Sequence, residues 1–116
     1  MKHRLTRQAA RDVSEILTNT YPMFGEHQFA RYVRVLNVGV AMIAENPFRP
    51  TSKDRADIRS GVRSFHLQLA AGRKGGASHV IYHRLSETGL VVVARILGDE
   101  MEPKRRVAKA LREDER

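Results

Sequence analysis

Residues 61–98 read GVRSFHLQL, AAGRKGGA, SHVIYHRL, SETG and LVVVARILG in succession. Three of these runs are rich in Val, Ile, Leu and aromatic residues, which predicts three β-strands: Gly61–Leu69, Ser78–Leu85 and Leu90–Leu97. Ser86 to Gly89 has the length and the glycine of a four-residue hairpin turn. Ala70 to Ala77 is longer than a tight turn and reads as a mobile Gly- and Ala-rich connection. The last run is almost wholly apolar, as for a central strand buried on both faces, with Arg95 as the exception. Each run carries one arginine: Arg63, Arg84 and Arg95.

Working outward, the preceding sequence supplies helices to cover this sheet. His3 to Leu5 is a short extended segment that can pair at its side, giving three to four strands. Thr6 fits an N-cap, since its hydroxyl can accept from a free first-turn amide. A helix follows from Arg7 to about Asn19, with Ala9, Val13, Ile16 and Leu17 as its apolar stripe. Pro22 turns Tyr21 away from helical geometry and ends it. A second helix runs from about Glu26 to Glu45 on Phe29, Tyr32, Val33, Leu36, Val40 and Ile43. Asn46-Pro47 stops it. The two make an antiparallel helical hairpin. Phe48 to Ser60 reads as a surface loop with a turn of helix near Asp54 to Ile58. Pro103 opens a final helix to about Leu111. Val107, Ala108 and Leu111 are the apolar residues read as its packing face, so this helix needs a surface to pack on. Arg112 to Arg116 is expected to fray. The fold class is α+β: one domain over residues 1–116, with residues 103–116 a basic C-terminal tail or helix.

The 116 residues contain no cysteine, which excludes disulfides and thiolate metal sites. No apolar run reaches the roughly 20 residues of a membrane span, and the basic N-terminus has no apolar stretch behind it. The reading is a cytoplasmic protein. Its net charge of +8 points to an anionic partner, either nucleic acid, a machine that handles it, or an acidic protein segment.

Arginines within apolar strands must be solvated or paired. Arg63, Arg84 and Arg95 are therefore read as a shared cationic face for phosphates or carboxylates. The competing reading is internal salt bridges to Glu87, Asp57 or Asp99. Lys104, Arg105 and Arg106 add a basic patch at the start of the last helix. His79 and His83 lie about 13 Å apart along one strand, too far for one metal. No metal site and no cofactor is expected. His66, His79 or His83 could serve as an acid or base, or be hydrogen-bonded structural residues. Tyr82 could stack on a base or fill the core. The GRKGG loop lacks a phosphate-loop pattern and precedes no helix. Phe24, Phe48 and Met101 fall outside the regular stripes and are candidates for a partner-facing apolar patch.

The ordered words RLTRQAARDV, FGE, AENP, DIRSGVRSF, HVIYHRL and ARILGDEMEP resemble the ParE toxins of bacterial toxin–antitoxin modules, within the RelE/ParE superfamily of plasmid stabilisation proteins. The likeness spans about Arg4 to Arg106. Two features depart from the family pattern. Gly98 stands where members commonly have a histidine, and the Leu69–Ser78 connection is longer. The resemblance implies a toxin that binds and inhibits DNA gyrase. It also implies a cognate ParD-like antitoxin with an acidic C-terminal segment, joined with it in a hetero-oligomer. On that reading Arg63, Arg84, Arg95, Lys104, Arg105 and Arg106 contact the target. Phe24, Phe48, Arg63, Arg84, Arg95 and Met101 contact the antitoxin. An alternative is a RelE-like endoribonuclease acting on ribosome-bound mRNA, with Arg63, Arg84, Arg95 and His83 in the site. A third is an inactive toxin fold that only binds antitoxin.

Overall fold

The structure, a computed structural model, describes residues 2–116. Its element order is β1 (His3–Leu5), α1 (Arg7–Glu45), β2 (Lys53–Asp54), β3 (Val62–His66), α2 (Gln68–Ala71), β4 (His79–Leu85), β5 (Val91–Gly98) and α3 (Lys104–Asp114). The five strands form one sheet in the order β1-β5-β4-β3-β2. The three long strands make the expected antiparallel meander, with Phe65 opposite Ile81 and Ile81 opposite Ile96. β1 adds to it in parallel, pairing His3 with Val91 and Leu5 with Val93. The fifth strand is β2, two residues of the expected loop that pair with Arg63 and Ser64.

α1 is a hairpin of two limbs. A straight helix of its 39 residues would be about 58 Å long, whereas the longest dimension of the molecule is 40 Å. The reversal is at Gly25, with φ 83° and ψ −178°, a region open essentially to glycine alone. Tyr21 and Phe29 meet edge-to-face across the bend, with ring centroids 5.7 Å apart. Pro22 does not end the first limb as expected. The helix accommodates Pro22 within it and breaks only at Gly25. Thr6 is the N-cap, accepting from the Ala9 amide at 3.0 Å. Its hydroxyl also donates to the Ala94 carbonyl at 2.7 Å, tying the helix start to β5.

Each face of the sheet has its own core. The hairpin covers Phe65, Ile81, Val91, Val93 and Ile96 with Ala9, Val35, Leu36 and Ile43. Gly39 lets the second limb approach closely: a Cβ there would lie 2.4 Å from Leu67 Cδ2. On the other face α3 lays Val107 and Leu111 against Val62, Tyr82, Val92, Ala94 and Leu97. The surface this weak helix needed is therefore the sheet itself. It runs past Leu111 to Asp114 and does not fray where expected. Arg4 makes two 2.7 Å bonds to Asp114, and Glu115 binds Arg59 and Arg84. After His66 the first meander strand stops, and the short helix α2 takes up part of the connection expected to be irregular.

Candidate functional site

The three strand arginines do not share a face. Arg63 sits toward the β2 side of the sheet. Its Nε and Nη2 donate to the side chain and carbonyl of Ser52, both at 2.8 Å, and its guanidinium lies 5.5 Å over the Phe48 ring. Arg84 lies toward α3 and pairs with Glu115 at 3.1 Å. Arg95 is bound by Asp12 of α1 at 2.7 and 2.9 Å. A single cationic surface built from all three is not formed. Alternation separates Arg63 from Arg84, whereas the bulge in β5 opposite Tyr82 and His83 leaves Arg95, the partner of Tyr82, on the α3 face with Arg84. The carboxylate partners also differ from those expected, since Asp12 and Glu115 lie far from the strands in sequence.

His83 is fully buried, and neither ring nitrogen has a hydrogen-bond partner. Burial, reinforced by the Arg63 charge, lowers its pKa to about 4. It cannot reach a substrate, so the base expected for an endoribonuclease is not available at this position. His66 lies on the opposite face of the sheet and meets Asp99 at 3.2 Å. Tyr82 is buried in the α3-side core, with the Arg55 guanidinium 5.8 Å from its ring centre. Lys104, Arg105 and Arg106 occupy the first turn of α3. Lys104 and Arg105 are exposed, while Arg106 donates to the Glu102 carbonyl at 2.9 Å.

The concave regions of the described surface include three that could receive a partner. The first runs between the first limb of α1 and the end of β5, lined by Ile16, Met23, Phe24, Ile96, Leu97 and Met101 among others. β1 pairs with β5 only as far as Val93, and Asp12 accepts from the Ile96 amide at 3.0 Å. Beyond that point no strand among the described residues covers this edge. Met23 and Phe24 are 72% and 62% exposed at the rim, a large apolar surface to leave in water. Phe24 and Met101 are thus brought together, while Phe48 lies elsewhere under Arg63.

A second cleft of about 690 Å³ opens beside the part of the sheet that α3 leaves bare, with Lys53, Arg55, Ser64, His66 and Tyr82 in its walls. A third, of about 330 Å³, lies between the hairpin tip and the loop after α2. Tyr32 and His79 meet there at 2.5 Å, with Arg31 and Arg73 alongside. Burial raises the Tyr32 pKa and lowers that of His79, so both stay neutral at pH 7. Sequence reasoning placed Tyr32 in the core stripe and did not single out Arg31, Arg73 or Arg55. The available signal was Arg31 beside a stripe aromatic. Its partner loop lies 45 residues away, beyond the reach of local pattern.

A helical hairpin on one face of a small mixed sheet, a basic surface and an uncovered strand edge define a compact binding scaffold. Comparison with known proteins makes this specific. Residues 4–103 match the family described as the ParE toxin of the type II toxin–antitoxin system, parDE. The chain is 30% identical over 99 residues to Toxin ParE1 of Caulobacter vibrioides, covering 85% of this chain and 90% of that one. It is also 30% identical over 101 residues to Toxin ParE1 of Mycobacterium tuberculosis, covering 87% and 92%. The chain belongs to the ParE toxin family of type II toxin–antitoxin systems.

Proposed function

We propose that this protein arrests growth in the cytoplasm by binding and inhibiting DNA gyrase. A cognate ParD-like antitoxin neutralises it by laying its C-terminal segment in the apolar trough beside β5. Family membership over residues 4–103 supports the toxin reading. The observation that carries the neutralisation reading is the trough itself. Met23 and Phe24 stand exposed over a β5 edge that no strand covers beyond Val93. An extended segment there would gain backbone hydrogen bonds from the edge and bury apolar side chains against Phe24 and Met101. The net charge of +8 favours an acidic antitoxin and a target that handles nucleic acid. No helix of the described residues is long and apolar enough to cross a membrane. The test is supercoiling by purified gyrase with the toxin alone and with excess antitoxin. Inhibition that the antitoxin relieves is expected. Full supercoiling activity at saturating toxin removes the gyrase assignment.

One observation favours the ribonuclease alternative. Lys53, Arg55 and His66 line a single open cleft on the sheet, a cationic wall with an imidazole beside it. In that reading these residues replace Arg84, Arg95 and His83, which are paired or buried. Primer extension on translated messages separates the two. Codon-positioned cuts that disappear in Arg55→Ala and His66→Ala establish the nuclease, whereas uncut messages during growth arrest eliminate it.

A further inference from the structure

Several arginines are fixed by carboxylates: Arg4 by Asp114, Arg55 by Asp57, Arg59 and Arg84 by Glu115, Arg95 by Asp12. Arg31, like Arg49, Arg63 and Arg106, is held by neutral acceptors instead. Its Nε donates to Gln28 Oε1 at 3.0 Å and its Nη2 donates to the Gly76 carbonyl at 2.8 Å. Both acceptors are neutral, and no carboxylate among the described residues forms an ion pair with it. The guanidinium is therefore oriented but keeps its full charge. Arg73 borders the same cleft from the loop, exposed and also without an ion pair among the described residues. No Asp or Glu is among the described residues that line the cleft. Its other polar side chains are uncharged: Thr20, Gln28 and Ser78 carry no charge, and the Tyr32 hydroxyl and His79 are neutral at pH 7 and bonded to each other.

Two cations facing a concave space without a carboxylate create a site for an oxyanion. Because Arg31 is already held, binding there costs little side-chain ordering, and a charge-assisted bond to it is among the stronger kinds. The position of the cleft selects the source of that anion. It shares Thr20, Phe24 and His79 with the apolar trough along β5, so a peptide lying in the trough leads directly into it. We propose that the cleft between the hairpin tip and the loop after α2 receives an acidic side chain of the antitoxin. Arg31 and Arg73 are its cationic partners, and Phe24 is the apolar contact beside it. This rests on the antitoxin reading above and adds which residue chemistry the antitoxin segment carries at that point. The long connection that departs from the family pattern thereby becomes part of the partner surface.

The test is calorimetric binding of the cognate antitoxin to purified toxin, at low and high salt. The toxins are wild type, Arg31→Gln and Arg73→Glu. Each variant is expected to bind about 10- to 100-fold more weakly, as for loss of a hydrogen bond to a charged group. Each should also show a shallower salt dependence. Arg73 makes no ion pair among the described residues, so Arg73→Glu reports on binding even if Arg31→Gln unfolds. An antitoxin acid changed to Lys should restore affinity to Arg73→Glu. Affinities of Arg73→Glu and of folded Arg31→Gln within twofold of wild type overturn the proposal while leaving neutralisation intact. A wild-type toxin that does not bind the antitoxin overturns the neutralisation reading itself.

Discussion

Replacing Asp12 by Ala should cost this protein about 3–5 kcal/mol of folding stability, the range for breaking one side of a buried ion pair. The geometry explains why. One carboxylate accepts from Arg95 twice, at 2.7 and 2.9 Å, and from the buried Ile96 amide at 3.0 Å. The Asp12 side chain is only 9% exposed and that of Arg95 19%. Removal leaves a largely buried guanidinium without its counter-charge. It also leaves a strand-edge N–H with no acceptor, itself worth about 1–3 kcal/mol. Arg95→Met removes the charge but leaves Asp12 bonded to Ile96, and it should cost clearly less. Urea unfolding followed by circular dichroism measures both, and in a thermal scan, at about 4 °C per kcal/mol, the Asp12→Ala midpoint should fall by about 15 °C. A loss below about 1 kcal/mol for Asp12→Ala would mean that the pair is solvated in practice. Arg95 would then be free for a partner, and the structural role given to it here would be wrong.

The buried His83 makes stability depend on pH. Its pKa falls from 6.5 to about 4 on folding, so the unfolded chain binds the extra proton between those values and stability declines as pH drops through that window. At about 1.36 kcal/mol per pH unit the loss approaches about 3 kcal/mol by pH 4. Denaturation curves from pH 7 to 4 should show it in the wild type and lack it in His83→Leu; equal losses in both would exclude His83 as the source. Gly39→Ala should destabilise by about 1 kcal/mol, because crowding of the buried Leu67 outweighs the better helix propensity of alanine. A thermal scan showing a higher midpoint would reverse that judgement. Leu111→Ala, at a fully buried position of α3, should cost about 2–5 kcal/mol and speed amide exchange throughout α3. Unchanged exchange would show that the Arg4–Asp114 and Glu115 ion pairs hold the helix without its apolar contacts.

The fold was legible wherever burial leaves a local period. The meander, the hairpin limbs and the cap at Thr6 all follow from patterns within ten residues. The turn was misplaced because Pro22 signals strongly in sequence, whereas the requirement for φ 83° at Gly25 arises from tertiary packing. β2 is two residues long and carries no pattern of its own. The candidate site was less legible for a related reason. An arginine in a strand announces that it needs a partner but not which one. Asp12 and Arg95 are 83 positions apart, and only the route of α1 past the end of β1 brings them together. The α3-side core was hidden in composition, since Val107 and Leu111 are two apolar residues in a basic helix. Conversely, Phe24 and Met101 could be singled out because each lay outside a regular stripe, and the structure places both in one trough.

What this toxin stops first separates gyrase from the ribosome as its target. Nucleotide and amino-acid incorporation, followed in parallel after controlled expression, measure that directly. DNA synthesis should fall while translation continues, and co-expressed antitoxin should abolish the effect. Translation collapsing first, with DNA synthesis following, would contradict gyrase as the target.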